Sequence, residues 1–262
     1  MAGLSAGLNP NIVKTALDKV FYQKYSEKPG PRFTSASDDA VFQQDTIDRS
    51  AVIMERFLGV SEWESTAEQA EYKGDTPRSD DQITFTVAKF TKKLHISEEM
   101  LEDDQHSLVR NAAAHMGVKA RTGQNNQAMA VYRNAATTTL VADGLSLLNA
   151  AHTTRGGTFD NTVSGAFTPT TLEEAINLLV EQKDTAGDIV GHEAKTLLVP
   201  PALFKEAIES LESELLARTT DNNKNWVLSN YGIAIKQSQY LGTAGGGKND
   251  LWFLLGEFHS VM

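Results

Sequence analysis

The chain contains no cysteine. No disulfide, thiolate nucleophile or cysteine metal cluster can form, which suits a reducing compartment. It has no apolar run of the roughly 18 residues that would mark a membrane-spanning helix. Its N-terminal apolar positions are broken by Lys14, Lys19 and Lys24, which is not the pattern of a secretory signal. Acidic residues are absent from Gln105 to Ala142, a stretch that holds Arg110, Lys119, Arg121 and Arg133. The histidines are dispersed, and no close pair has metal-ligand spacing.

What is present is ordinary globular chemistry. The 262 residues are 40% hydrophobic and 22% charged, enough for one large domain or two modest ones with a real core. The net charge of -10 argues against a dedicated DNA-binding protein. The charge is segregated, however. Glu62 to Asp81 and Glu98 to Asp104 are strongly acidic, in contrast to the acid-free stretch between Gln105 and Ala142.

Along the chain, Asn9 and Pro10 open a predicted helix whose Ile12, Val13, Ala16, Leu17, Val20 and Phe21 share a face. Lys28-Pro29-Gly30-Pro31 breaks it. A short helix cut off in this way reads as an arm, and its stripe calls for a partner, usually a neighbouring subunit. A strand is expected around Phe57, Leu58 and Val60. A second has Ile83, Phe85 and Val87 alternating with polar or small residues and continues past Phe90 to Leu94 and Ile96. Together they form a two-stranded excursion with a polar tip. A lone hairpin is marginal in water and must rest on something else.

Ser97 is a cap for a short acidic helix. A helix of about 42 Å follows over about 107–134, with Leu108, Ala112, Met116, Ala120, Gly123 and Val131 marking its contact face. Thr170 and Glu173 form an expected capping box for a helix striped by Leu172, Ala175, Ile176, Leu179 and Val180. Thr196 to Val199 is a buried strand, and Pro201 starts the next helix. That helix points Leu203, Phe204, Ala207, Ile208, Leu211 and Leu215 inward. Two further strands, Tyr231 to Ile235 and Leu251 to Leu255, are joined by a glycine-rich loop.

Three motifs carry less than they promise. Gly242 to Asn249 nearly matches a phosphate-binding loop, but Asn249 replaces the magnesium-binding hydroxyl and a strand follows where a helix is required. It reads as a flexible strand-to-strand loop. His192-Glu193 is half a zinc motif without its second histidine, since position 196 is threonine. The cluster Glu98, Glu99, Glu102, Asp103 and Asp104 reads as a solvated helix start or a cation or subunit contact. No G-x-S-x-G elbow occurs. No catalytic, cofactor-binding or metal residue is assigned, no cofactor is expected, and the chain is not read as an enzyme. The cations Arg110, Lys119, Arg121 and Arg133 either face DNA non-specifically or pair with acidic elements.

Two phrases stand out: Asp143-Gly144 with Leu147 and His152, and Leu197-Leu-Val-Pro-Pro201. In this order, behind a long helix, they resemble the major capsid proteins of tailed bacteriophages with the HK97-type fold, above all the Mu-like major head subunits. The likeness covers about residues 50 to 262. It implies an α+β fold with an N-terminal arm (1–50), an extended E-loop hairpin (51–97), a peripheral domain with a spine helix (98–142) and an axial domain (143–262) that returns into the peripheral domain at its end. It implies a major head protein that self-assembles as pentamers and hexamers into an icosahedral shell around double-stranded DNA. Scaffolding and portal proteins would assist, no membrane would be involved, and the shell would be built in the host bacterial cytoplasm and reside in the virion. Val13, Leu17, Val20, Phe21, Ile83, Phe85 and Val87 become candidate subunit contacts. Family members usually continue past the apolar run at Phe253, so either a shortened or an incomplete chain is expected. The crosslinking chemistry of one branch of the fold has no matched residues here. The alternatives are an encapsulin-type cargo shell or an enzyme with an unrecognised site.

Overall fold

The computed structural model describes residues 10–27, 41–42, 46–57, 65–72, 74, 79–97, 99–100, 107–139, 141, 143–154, 157–183, 189, 191–213 and 225–256. The breaker at Lys28–Pro31, Leu58 and Val60, Gly187, Leu215 and most of the 98–104 acidic cluster lie outside them. Contacts divide the chain into two units: residues 1–33 with 88–129, and 34–87 with 130–262.

The first unit is helical. α1 spans Pro10–Glu27, with proline in the first turn, where its missing N–H costs nothing. Val13 is buried, and Leu17, Val20 and Phe21 are half-buried beside it on one face, as the spacing predicts, while Ala16, expected on that face, is exposed. α2 spans Leu108–Arg133, about 39 Å at the α-helical rise. Its buried positions are Val109, Ala113, Gly117, Asn125 and Met129, continuing to Tyr132. The expected stripe is therefore corrected by one position: Leu108 is 62% exposed, and Ala120 and Gly123 are exposed. Small residues occupy two adjacent stripes of this helix, so hydrophobicity alone could not choose between them. Ahead of α2, the Ser97 hydroxyl accepts from Met100 N at 3.1 Å and caps a short turn, as expected.

The second unit holds the strands. β1 (Ala51–Phe57) pairs antiparallel with β2 (Ser79–Thr86), Val52 opposite Phe85 and Met54 opposite Ile83, with an irregularity between Glu55 and Phe57. β1 thus starts earlier than expected. β2 also ends earlier, at Thr86. Its last partner is Ala51, and a single bond from Val87 N to Ser50 O closes the ladder at 2.9 Å. Residues 87–97 keep their apolar content but lack a strand to pair with, so they do not extend β2.

β3 (His152–Thr154) and β4 (Gly157–Phe159) form a small antiparallel pair. α3 spans Pro169–Val180. Its cap is Thr168, not Thr170. The Thr168 hydroxyl accepts from Thr171 N at 3.2 Å and the Thr171 hydroxyl accepts from Thr168 N at 2.9 Å. Proline at 169 decides this, because the residue before proline is pushed out of helical conformation and so becomes the cap.

β5 (Ala194–Val199) is the middle of a three-stranded sheet, parallel to β6 (Ala234–Gln237) on one side and antiparallel to β7 (Phe253–Gly256) on the other. Its continuous Leu197-Leu198-Val199 run is buried, as a strand covered on both faces requires. After Pro200 and Pro201 a turn leads into α4, which starts at Phe204, later than proline alone implied. α5 spans Trp226–Asn230. The Asn225 side chain donates to Ser210 O and Ser213 O at 2.8 and 3.0 Å and accepts from Val227 N at 3.2 Å. One asparagine thereby ties the end of α4 to the start of α5. The core joins Phe167, Leu172 and Ile176 to Leu197, Val199, Ala207, Leu211 and Val227.

The glycine-rich connection between β6 and β7 is not the flexible loop the sequence implied. It contains a 3₁₀ turn at Thr243–Gly245. A Cβ at Gly245 would lie 2.4 Å from Tyr240 O, and one at Gly247 would lie 1.9 Å from Leu241 O. The glycines are there because the loop folds onto its own main chain.

Candidate assembly site

The loop after α2 is built around a buried pair. His152 Nδ1 lies 2.7 Å from Asp143 Oδ2, with both side chains almost fully excluded from solvent. His152 Nε2 faces Leu147 O at 3.3 Å, and the ring stacks on Phe159 at 5.1 Å between centroids. Gly144 takes a left-handed φ of 77°, while Leu145 N donates to Asp143 Oδ1 at 3.0 Å. The aspartate thus serves the turn with one oxygen and the histidine with the other. Asn161 completes the knot, donating to Leu147 O at 2.9 Å and accepting from Asn149 N at 2.8 Å. Nearby, the Thr162 hydroxyl and N–H hold the Asp160 carboxyl below the usual carboxylate range, with a smaller contribution from His152. The partners come from the loop and from the short β3–β4 pair that follows it. The arrangement fixes chain direction; the sequence had singled out Asp143 and His152 in one phrase but not that they pair, and it had not singled out Asn161.

The hairpin presents a different chemistry. Ile83 and Phe85 are half-buried while Gln82, Thr84 and Thr86, which alternate with them, are exposed, and Val87 is exposed. Val52 and Met54 lie opposite on the same face. The tip is polar where described, with Glu68 and Glu71 exposed and Tyr72 87% exposed. No intrinsic stability explains such an element alone in water.

α1 meets α2 within its own chain, where the sequence called for a neighbour. A Cβ at Gly117 would fall 2.4 Å from Phe21 O and 3.3 Å from Tyr25 N. Beside this contact the Arg121 guanidinium lies 4.8 Å from the Tyr25 ring centroid and donates to Gln124 Oε1 at 2.7 Å. The Tyr25 hydroxyl also donates to Gln124 Oε1, at 2.7 Å. A glycine inside a long helix was the available signal, and the sequence reading had placed Gly123, not Gly117, at the contact.

The four cations of the acid-free stretch separate. Arg110 and Lys119 are exposed. Arg121 is held by Tyr25 and Gln124. Arg133 donates to Tyr240 O at 2.9 Å, and burial lowers its pKa. Among the described residues no group of three or more histidines and carboxylates is placed to hold a metal ion, and no helix is long and apolar enough to cross a membrane.

Residues 80–260 match the family described as phage capsid protein. The chain belongs to that family. It is a major capsid protein, a structural component of the phage shell and not an enzyme. Solved structures show the same fold. A chain of the bacteriophage JBD30 capsid is 12% identical with a TM-score of 0.60, over 89% of this chain and 99% of that one. A chain of the JBD30 procapsid is 14% identical at 0.57, over 88% and 99%. A chain of the JBD30 capsid decorated with minor capsid protein trimers is 12% identical at 0.59, over 81% and 95%. No curated protein matches by sequence. The resemblance read from Asp143, Gly144, Leu147, His152 and Leu197–Pro201 therefore led to the right family. Self-association and a place in the virion follow from that membership, and the mixed helix-and-sheet fold agrees with the α+β expectation.

Proposed function

We propose that this capsid protein is an HK97-type subunit that closes, as pentamers and hexamers, into an icosahedral shell around double-stranded DNA. In this reading residues 1–50 are the arm, 51–97 the E-loop, 98–142 the peripheral domain with α2 as its spine, and 143–262 the axial domain with its end returning to the periphery. The observation that carries it is the β1–β2 hairpin, an apolar-faced ribbon of two strands that calls for an outside surface. The element order α1, hairpin, α2, then the β5 sheet supports the map. Ile83, Phe85 and Val87 are the hairpin's contacts with a neighbour. Val13, Leu17, Val20 and Phe21 form a face shared between α2 of the same chain and a neighbour. Arg110 and Lys119 are the cations best placed to face packaged DNA, by salt-dependent phosphate contacts; Arg121 and Arg133 serve the protein. Scaffolding and portal proteins join assembly in the bacterial cytoplasm.

Negative-stain electron microscopy with sedimentation velocity on the full chain tests this. Closed particles, or pentamers and hexamers, are expected. A strictly monomeric species that stays monomeric with lysate containing the neighbouring head-gene products would overturn it.

A further inference from the structure

Between the hairpin and α2 runs a strip of unusual character. From Val87 to Ser97 there is no acidic residue, while Lys89, Lys92 and Lys93 are all exposed. Large apolar side chains are exposed among them: Phe90 at 73% and Val87 at 55%. A phenylalanine left that open, in a sequence otherwise suited to a strand, marks a surface that another surface covers. Its charge specifies which. The chain carries a net charge of -10, so two copies repel on average, and a concentrated basic strip is the exception. The complement is in the same sequence. The hairpin tip carries exposed Glu68 and Glu71 beside Tyr72, which at 87% is the most open large hydrophobic among the described residues. Each surface offers an open aromatic ring beside charged side chains: Tyr72 follows Glu68 and Glu71, with Lys73 after it, and Phe90 sits among Lys89, Lys92 and Lys93, so the exposed carboxylates of one complement the ammonium groups of the other.

We infer that the hairpin tip of one copy docks on the 87–96 strip of a second copy, with Glu68 and Glu71 against Lys89 and Lys92, and Tyr72 and Phe90 covering each other. This rests on the reading of the hairpin as a subunit-spanning element and adds its landing site. Nucleic acid is the competing occupant of a basic strip. The exposed Phe90 and Val87 and the charge match within the chain favour the second copy.

Charge exchange tests it in the full chain. E68K/E71K and K89E/K92E shift the net charge in opposite directions. Each is expected to raise the subunit concentration needed for assembly by about tenfold or more. The combined four-residue exchange keeps the parent net charge and is expected to restore assembly. Failure of the combined chain to assemble better than either parent variant overturns the docking. So does normal assembly of K89E/K92E, and if its particles also lose retained DNA the strip faces nucleic acid.

The cysteine-free background supplies the second arm. Nuclease-treated particles carrying E71C and K92C in one chain are expected to give disulfide-linked ladders on oxidation. A link confined within single chains overturns the inter-copy contact. If the hairpin-face variant I83D/F85D assembles unaltered, the hairpin reading itself fails. If that variant is defective and the charge exchange has no effect, only the landing site fails.

Discussion

Gly117 lies so close to Phe21 that a methyl group there would sit 2.4 Å from the Phe21 carbonyl oxygen. The obstacle is main chain, which cannot rotate away as a side-chain tip can. Gly123, six residues on, is exposed, and no described atom outside the helix's own neighbouring backbone lies within 4 Å of its added Cβ. Both sit in α2, so both gain about 1 kcal/mol of helix propensity on replacement by alanine. Gly117→Ala is nevertheless expected to be destabilising by about 1–2 kcal/mol net, since overpacking outweighs that gain. Gly123→Ala is expected to be stabilising by up to about 1 kcal/mol. Urea denaturation of the two variants measures the contrast, and equal shifts would mean that α1 does not pack as described.

Loss of the buried His152–Asp143 pair should act through folding. His152→Ala leaves a buried carboxylate with one of its partners gone, and should cost about 3 kcal/mol. The loop around it should then become the first site of limited proteolysis. A change in stability within about 0.5 kcal/mol would show that Asn161 and the Asp143 turn hold the loop without the histidine.

Tyr132 gives a prediction with a definite sign. Its buried ring lies between Phe42 and Phe253, its hydroxyl donates to Val41 O at 3.2 Å, and burial pushes its pKa up. The unfolded chain therefore releases this proton first, near the ordinary value of about 10. Above that pH the unfolded state holds fewer protons, so stability falls as pH rises, and the full contribution is present only below it. Tyr132→Phe should be about 1 kcal/mol less stable at neutral pH. The gap to the parent should narrow between pH 9 and pH 11. Parallel curves in denaturation across that range would contradict the burial.

The hairpin face should matter for assembly more than for folding. I83D/F85D places two carboxylates on the half-buried apolar face of the hairpin, the proposed contact with a neighbour. Soluble subunits or capsomers with an intact β5 core are expected, visible as near-native circular dichroism and a small sedimentation coefficient. Shells indistinguishable from those of the parent would remove the hairpin from the interface.

How much of this was legible varies by element, for physical reasons. The stripe of α1 and the buried run of β5 were readable, because each follows from a single unambiguous period. The face of α2 was misread by one position because alanine and glycine line two neighbouring stripes. The cap of α3 was placed two residues late, at Thr170, because Thr-Pro outranks the Thr170–Glu173 pattern: proline fixes where the helix begins. β2 was drawn too long, since alternation marks what could be a strand but the partner strand decides how far it extends. Of the four cations, only the neighbours that capture Arg121 and Arg133 distinguish them from Arg110 and Lys119.

The sequence by itself determined the class of this protein. It has no cysteine chemistry, no catalytic motif and a set of elements whose order and phrases belong to phage capsid proteins. These are properties of composition and local spacing, and they survive without coordinates. The tertiary structure decided what depends on proximity across the chain. It placed α1 against α2 at Gly117, and it joined Asp143 to His152. It also turned the glycine-rich loop from a phosphate-loop lookalike into a packed crossover. The first joins residues far apart in sequence, the second is a side-chain pair nine residues apart and the third is a main-chain approach of a few ångströms; none of them leaves a period to read.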